Sequence, residues 1–217
     1  MKKGLTELAF ILDKSGSMAG LENDTIGGFN SMLTKQKAVE GECHITTVLF
    51  DNNYRLLHDR IDIRAVGLIT EKEYSVGGST ALLDAIGRTI HKIANVQKNT
   101  AEDYRAEKVL FIIITDGEEN SSREYSAEKI KEEIERKKRK YGWEFIFLGA
   151  NIDAVKTAGR FGIKADRAVD YLADSDGITL NYEVMNEVVS EFRVCSDISE
   201  KHFEQIRQDV RKRGGKR

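Results

Sequence analysis

Residues 109–115 read Val-Leu-Phe-Ile-Ile-Ile-Thr, the most apolar run in the chain, and they constrain its fold more than any other stretch. The run does not alternate between apolar and polar residues, so both faces of the segment must be covered. An extended segment buried on both faces belongs in the middle of a parallel sheet with helices on either side. Residues 143–148 (Trp-Glu-Phe-Ile-Phe-Leu) repeat that character, and residues 5–12 (Leu-Thr-Glu-Leu-Ala-Phe-Ile-Leu) read as another buried strand.

Three further segments extend the sheet. Residues 43–50 are β-branched and lie between Gly41 and the turn-forming Asp51-Asn52-Asn53, which predicts a hairpin with residues 54–63 as the antiparallel partner. Residues 168–172 form a weaker final strand. Between the strands the apolar residues fall at helical spacing: Ile26, Phe29, Met32 and Leu33 within residues 21–38, and Leu82, Ala85, Ile86, Ile90 and Ile93 within residues 81–96. A charged helix is predicted over residues 126–140 with Ala127, Ile130 and Ile134 inward, and a shorter one over 153–161. The last, over residues 182–192, carries Val184, Met185, Val188, Val189 and Phe192 on one face. Strands alternating with helices predict an α/β fold: a doubly wound, mainly parallel sheet with one antiparallel strand. Gly27-Gly28 is expected to let the first helix approach that sheet closely.

A chain of 217 residues suits one such domain. The domain is expected over residues 1–205, followed by a solvated basic tail over residues 206–217. That tail is the only segment suited to nucleic acid, because the net charge of the whole chain is −2. Cys43 and Cys195 lie among apolar residues and read as small buried side chains. No stretch approaches the roughly 20 apolar residues of a membrane helix, and the first apolar segment is too short for a signal sequence. A cytoplasmic location without membrane contact is the expectation.

In a doubly wound sheet, ligands collect beyond the carboxyl ends of the strands. Three loops there are rich in oxygen: Asp13-Lys14-Ser15-Gly16-Ser17, Gly77-Gly78-Ser79-Thr80 and Thr115-Asp116-Gly117-Glu118. Asp13, Ser15 and Ser17 alternate, so an extended turn can point all three to one side. With Thr80 and Asp116 they supply two carboxylates and three hydroxyls. That set suits a hard divalent cation, which takes about six oxygens, and it leaves room for an oxygen from outside. Plainer roles exist for each part: Ser15 and Ser17 as a turn and cap for the first helix, Thr80 as the N-cap of the second, and Asp116-Gly117 as a turn. Glu118, Glu119 and Asn120 either line a partner surface or are solvated. Gly77-Gly78 is followed by no Lys-Ser or Lys-Thr, which argues against a phosphate cradle.

Asp13-x-Ser15-x-Ser17, the distant Thr80 and the Asp116-Gly117 pair resemble the metal-ion-dependent adhesion site of the von Willebrand factor A domain family, and the resemblance covers most of the chain. It implies a divalent ion, magnesium with manganese or calcium as alternatives. Ser15, Ser17 and Thr80 would be hydroxyl ligands, with Asp13 and Asp116 binding directly or through water. It further implies a protein partner whose Asp or Glu completes the coordination. The lack of a signal sequence makes the chain look like the intracellular single-domain members, often associated with ATPase or other multiprotein assemblies. The alternative is a magnesium-dependent hydrolase or phosphotransferase using the ion as a Lewis acid. Such an enzyme needs a nucleophile or base beside the metal. Neither serine has a histidine near it in sequence, so a binding module and not an enzyme is the expectation.

Overall fold

The computed structural model describes residues 1–214 and contains one six-stranded sheet with strand order β3-β2-β1-β4-β5-β6. The strands are β1 (Lys2–Asp13), β2 (Cys43–Phe50), β3 (Tyr54–Asp62), β4 (Ala106–Thr115), β5 (Glu144–Ala150) and β6 (Ala168–Tyr171). Every neighbouring pair is parallel except β2 with β3, so the fold class and the hairpin are as the sequence predicts. The helices are α1 (Glu22–Lys37), α2 (Leu82–Asn99), α3 (Ala127–Tyr141), α4 (Ala154–Arg160), α5 (Ser175–Cys195) and α6 (Glu204–Arg213). Among the described residues, no helix is long and apolar enough to cross a membrane.

The lack of alternation in β1, β4 and β5 has the predicted cause. Leu8, Phe10 and Leu12 of β1 join Ile112 and Ile114 of β4 in a core under α1, α5 and α6. On the other face Ala9, Ile11, Phe111 and Ile113 pack against α2, α3 and α4. Phe111 stacks on Phe145 with ring centroids 4.8 Å apart, and on Trp143 at 5.5 Å. Burying a ring of this size contributes roughly 1.5–3 kcal/mol, so β4 anchors both halves of the core.

Four expectations change. Gly28 packs against α5 and not the sheet: a Cβ there would overlap the Tyr182 ring. Helix α5 begins at Ser175, well before residue 182, because the Asp174 side chain accepts from the Gly177 N–H at 2.8 Å and caps it. Cys195 is exposed at the last residue of α5, while Cys43 is buried as expected. The segment read as a solvated tail is largely α6, so the expected boundary at 205/206 falls within a helix. Ile206 is buried, and Arg213 donates to Asp174 at 2.7 Å and to Asp209 at 2.7 Å. One apolar anchor and the Arg213–Asp174 ion pair hold a helix in which six of ten residues are charged, and the Arg213–Asp209 pair lies within the helix itself. Residues 215–217 of the expected tail lie outside the described residues.

Candidate metal centre

The strand order reverses between β1 and β4, and the crevice beyond their carboxyl ends is where an open α/β sheet takes ligands. Asp13 ends β1, Thr115 ends β4, and Asp116 follows it directly. After Asp13 the chain makes a short 3-10 turn, Gly16–Met18, with Ser15 at its start and Ser17 inside it. The Ser15 N–H donates to Asp13 Oδ1 at 2.7 Å, and the Ser15 and Ser17 hydroxyls stand 3.0 Å apart. The Ser17 hydroxyl donates to Asp116 Oδ1 across the crevice. Thr80 reaches the same place: a Cβ on Gly117 would lie 3.3 Å from Ser17 Oγ and 3.4 Å from Thr80 Oγ1. The absence of a side chain at Gly117 keeps those two hydroxyls open to each other. All five predicted ligand residues therefore meet at one point.

The capping roles do not hold, whereas the turns do: Ser15 and Ser17 lie in the 3-10 turn after β1, and Asp116 and Gly117 form a bend after β4. Helix α1 starts after Leu21 and α2 after Ala81, and neither receives a side-chain cap from Ser15, Ser17 or Thr80. The hydroxyls are turned toward the crevice instead.

Several supporting residues carry no local signal. Thr115 Oγ1 donates to Asp13 Oδ2 at 2.6 Å, and Tyr74 Oη donates to the Asp13 carbonyl at 2.6 Å. Asn120 Oδ1 accepts from the Thr80 N–H at 2.9 Å, and the Thr80 carbonyl accepts in return from the Asn120 N–H at 3.1 Å. Glu119 accepts from the N–H groups of Leu83, Ser121 and Ser122, so it ties the loop after β4 to the start of α2. Asn120 and Glu119 thus act within the scaffold. The first two loops are also stitched through backbone bonds, Gly16 N–H to Gly78 O at 3.0 Å and Gly77 N–H to Lys14 O at 2.9 Å.

The electrostatics are lopsided. Asp13 and Asp116 are buried, and burial raises the pKa of both. Asp116 is pushed up to about 6, first by burial and then by the charge of Asp13. The nearby Lys14 ammonium is bound to Asp51, so it does not neutralise them. Asp116 Oδ2 is buried without a hydrogen-bond partner, an arrangement that is costly unless something outside the chain supplies one. Among the described residues no three His, Cys, Asp or Glu side chains gather as a metal-binding group. The set here is two carboxylates and three hydroxyls, all oxygen, which fits a hard cation and not a thiolate or imidazole site. The donor set and the orphaned oxygen fit a divalent ion.

A scan against protein-family models and a search of the curated proteins give no match. Solved structures do share the fold. A von Willebrand factor type A protein from Catenulispora acidiphila aligns with a TM-score of 0.59 at 14% identity, over 85% of this chain and 42% of that one. A mutant of the PilB minor pilin from Streptococcus sanguinis aligns with a TM-score of 0.61 at 10% identity, over 88% of this chain and 63% of that one. Proximal thread matrix protein 1 from the mussel byssus, with a zinc-occupied MIDAS motif, gives 0.56 at 16% identity, over 85% and 46%. This chain spans less than two thirds of each of those chains. At such identities the likeness establishes the fold, a Rossmann-like α/β sheet of the von Willebrand factor A type.

Proposed function

We propose that this chain is a von Willebrand factor A domain that holds a divalent cation, magnesium first, on Asp13, Ser15, Ser17, Thr80 and Asp116, and uses it to capture an acidic side chain of a protein partner. The observation that carries this reading is the buried, unpartnered Oδ2 of Asp116 within a crevice of hydroxyls and a second carboxylate. When bound, the cation would supply a positive centre able to accept one more oxygen, such as a partner's Asp or Glu. The chain's own groups preorganise the site. Thr115 and the Ser15 N–H hold Asp13 from both sides, Ser17 orients Asp116, and Asn120 fixes the backbone of Thr80. With only two formal negative charges, the site leaves a divalent ion under-neutralised, and that residual charge would draw an acidic partner.

Binding is favoured over hydrolysis because a serine nucleophile needs an adjacent base. Each histidine has its neighbour elsewhere: His58 with Thr47, His91 with Tyr125, His202 with Glu187 and Glu191, and His44 with Arg60. None hydrogen-bonds to Ser15 or Ser17. We further read the setting as cytoplasmic and the partner as a component of an ATPase or another multiprotein assembly, as the family resemblance implies.

Affinity capture tests the reading, with wild type and Asp13→Ala each in magnesium and in chelator. Proteins retained only by wild type in magnesium are the expected result. The same proteins in all four conditions would remove the metal centre from partner binding.

A further inference from the structure

At the other end of the molecule the C-terminal halves of α2 and α3 stand over the starts of β4 and β5 and border a cavity of about 750 Å3. That volume lies within the range of small-molecule sites. Its wall includes Trp143 and Tyr141, with Ala94 and Val109 among its apolar residues. Lys137 also lines it and is only 6% exposed. The Lys137 ammonium lies 5.1 Å from the Trp143 ring centroid and 5.3 Å from that of Tyr141. It has no hydrogen bond or ion pair among the described residues. Glu133, one turn earlier on α3, is taken by Arg136, whose Nη2 lies 2.6 Å from both carboxylate oxygens.

The packed stem of Lys137 brings its ammonium to the cavity against two ring faces and no anion, and the rings offset its charge only in part. Burial lowers its pKa. Two other observations point the same way. Gln97 lines the same cavity with its amide Nε2 buried and unpartnered. Among the described residues the Arg105 guanidinium hydrogen-bonds only the carbonyls of Thr100 and Lys98 and meets no carboxylate. Five Lys and Arg residues line the cavity against three Glu.

We propose that this cavity binds a small organic anion, an aromatic carboxylate or phosphate ester whose charged oxygens meet Lys137 and whose ring lies along the Trp143 wall. The unpaired Lys137 ammonium supplies a donor for anionic oxygen, and the aromatic and apolar wall supplies the surface for the body. The site is independent of the metal centre and takes a ligand of opposite charge.

Trp143 is the chain's one tryptophan, so its fluorescence reports on the cavity without a label. The full chain is titrated with phenyl phosphate, benzoate and neutral benzyl alcohol, with ligand-observed NMR as a second readout. A saturable change with phenyl phosphate or benzoate, and none with benzyl alcohol, is expected; the tighter anion identifies the headgroup. Lys137→Met, which keeps the stem, should weaken binding about 10-fold or more, equivalent to about 1.4 kcal/mol. Lys137→Arg, which keeps the charge, should retain it. Saturation by neither anion, an equal response to benzyl alcohol, or equal losses in Lys137→Met and Lys137→Arg would overturn the proposal.

Discussion

The two ends of the sheet bury charge in different ways. In the amino half, Glu7 of β1 is buried but receives the Arg60 guanidinium at 2.8 Å. Lys108 of β4 is buried and donates to the Arg193 carbonyl at 2.6 Å. Arg193 is buried and donates to the carbonyls of Gln36, Val39 and Gly41 at 2.6, 2.9 and 3.0 Å, filling acceptors that the end of α1 leaves open. At the carboxyl end, Asp13 and Asp116 meet hydroxyls and N–H groups but no cation, and Asp116 Oδ2 meets nothing. The desolvation cost is of one kind at both ends. In the amino half each buried charge meets an opposite charge or backbone carbonyls, which offset the cost in part and leave Glu7 Oε1 and Arg193 Nε unpartnered. At the carboxyl end no cationic side chain among the described residues meets either carboxylate. That asymmetry separates structural ion pairs from the site proposed to take a cation, and the Lys137 cavity repeats the unpaired pattern with the opposite sign.

The comparison breaks first at Arg193. Replacing it with Met should remove about 4 kcal/mol of stability by orphaning several buried carbonyls. The loss should be the same with or without magnesium in urea unfolding. A loss under about 1 kcal/mol would mean that the amino half is not compensated by this side chain.

Glu7 sharpens the comparison through pH. Burial raises its pKa from 4.5 to about 7 despite the opposing pull of Arg60. The folded state therefore keeps a proton that the unfolded state releases. Its cost is absent below pH 4.5, grows as pH rises through the window, and is complete above pH 7. The cost is on the order of 3 kcal/mol. Glu7→Gln keeps an acceptor for Arg60, so its stability should gain on wild type by that amount between pH 4.5 and 7.5. Parallel pH dependences for the two proteins would show that Arg60 compensates Glu7 fully.

The smallest stability effect is expected at the carboxyl end. Asp116→Asn removes a charge that no cation among the described residues pairs, so stability in chelator at pH 8 should hold or rise by about 1 kcal/mol. Wild type should gain about 2.7 kcal/mol at magnesium 100-fold above its dissociation constant. The variant should lose that gain, read as the change in melting temperature on adding magnesium. An equal magnesium response in both proteins would remove Asp116 from the cation's shell.

Much of this was legible locally. The unalternating runs place β1, β4 and β5 on two-sided burial, and the turn residues around Asp13, Thr80 and Asp116 mark strand ends. What escaped depends on contacts across the chain. Helix α6 has one deeply buried side chain, Ile206, so its periodicity is too weak to read. Its Arg213–Asp174 pair joins residues 39 apart. Asp174 caps α5 over Gly177, a glycine that weakens any helical pattern. Thr115, Tyr74 and Asn120 serve Asp13 and Thr80 from 102, 61 and 40 residues away, with no spacing motif to reveal them.

By itself, then, the sequence determined the layered α/β sheet and the five oxygen-bearing residues at its carboxyl edge. Periodicity and turn chemistry need only neighbours along the chain. Only the tertiary structure decided which buried charges find partners: Glu7 in part through Arg60, Arg193 through the end of α1, Asp116 and Lys137 through no ion pair among the described residues. Pairing and desolvation are set by neighbours in space, and those are chosen by how the helices dock on the sheet.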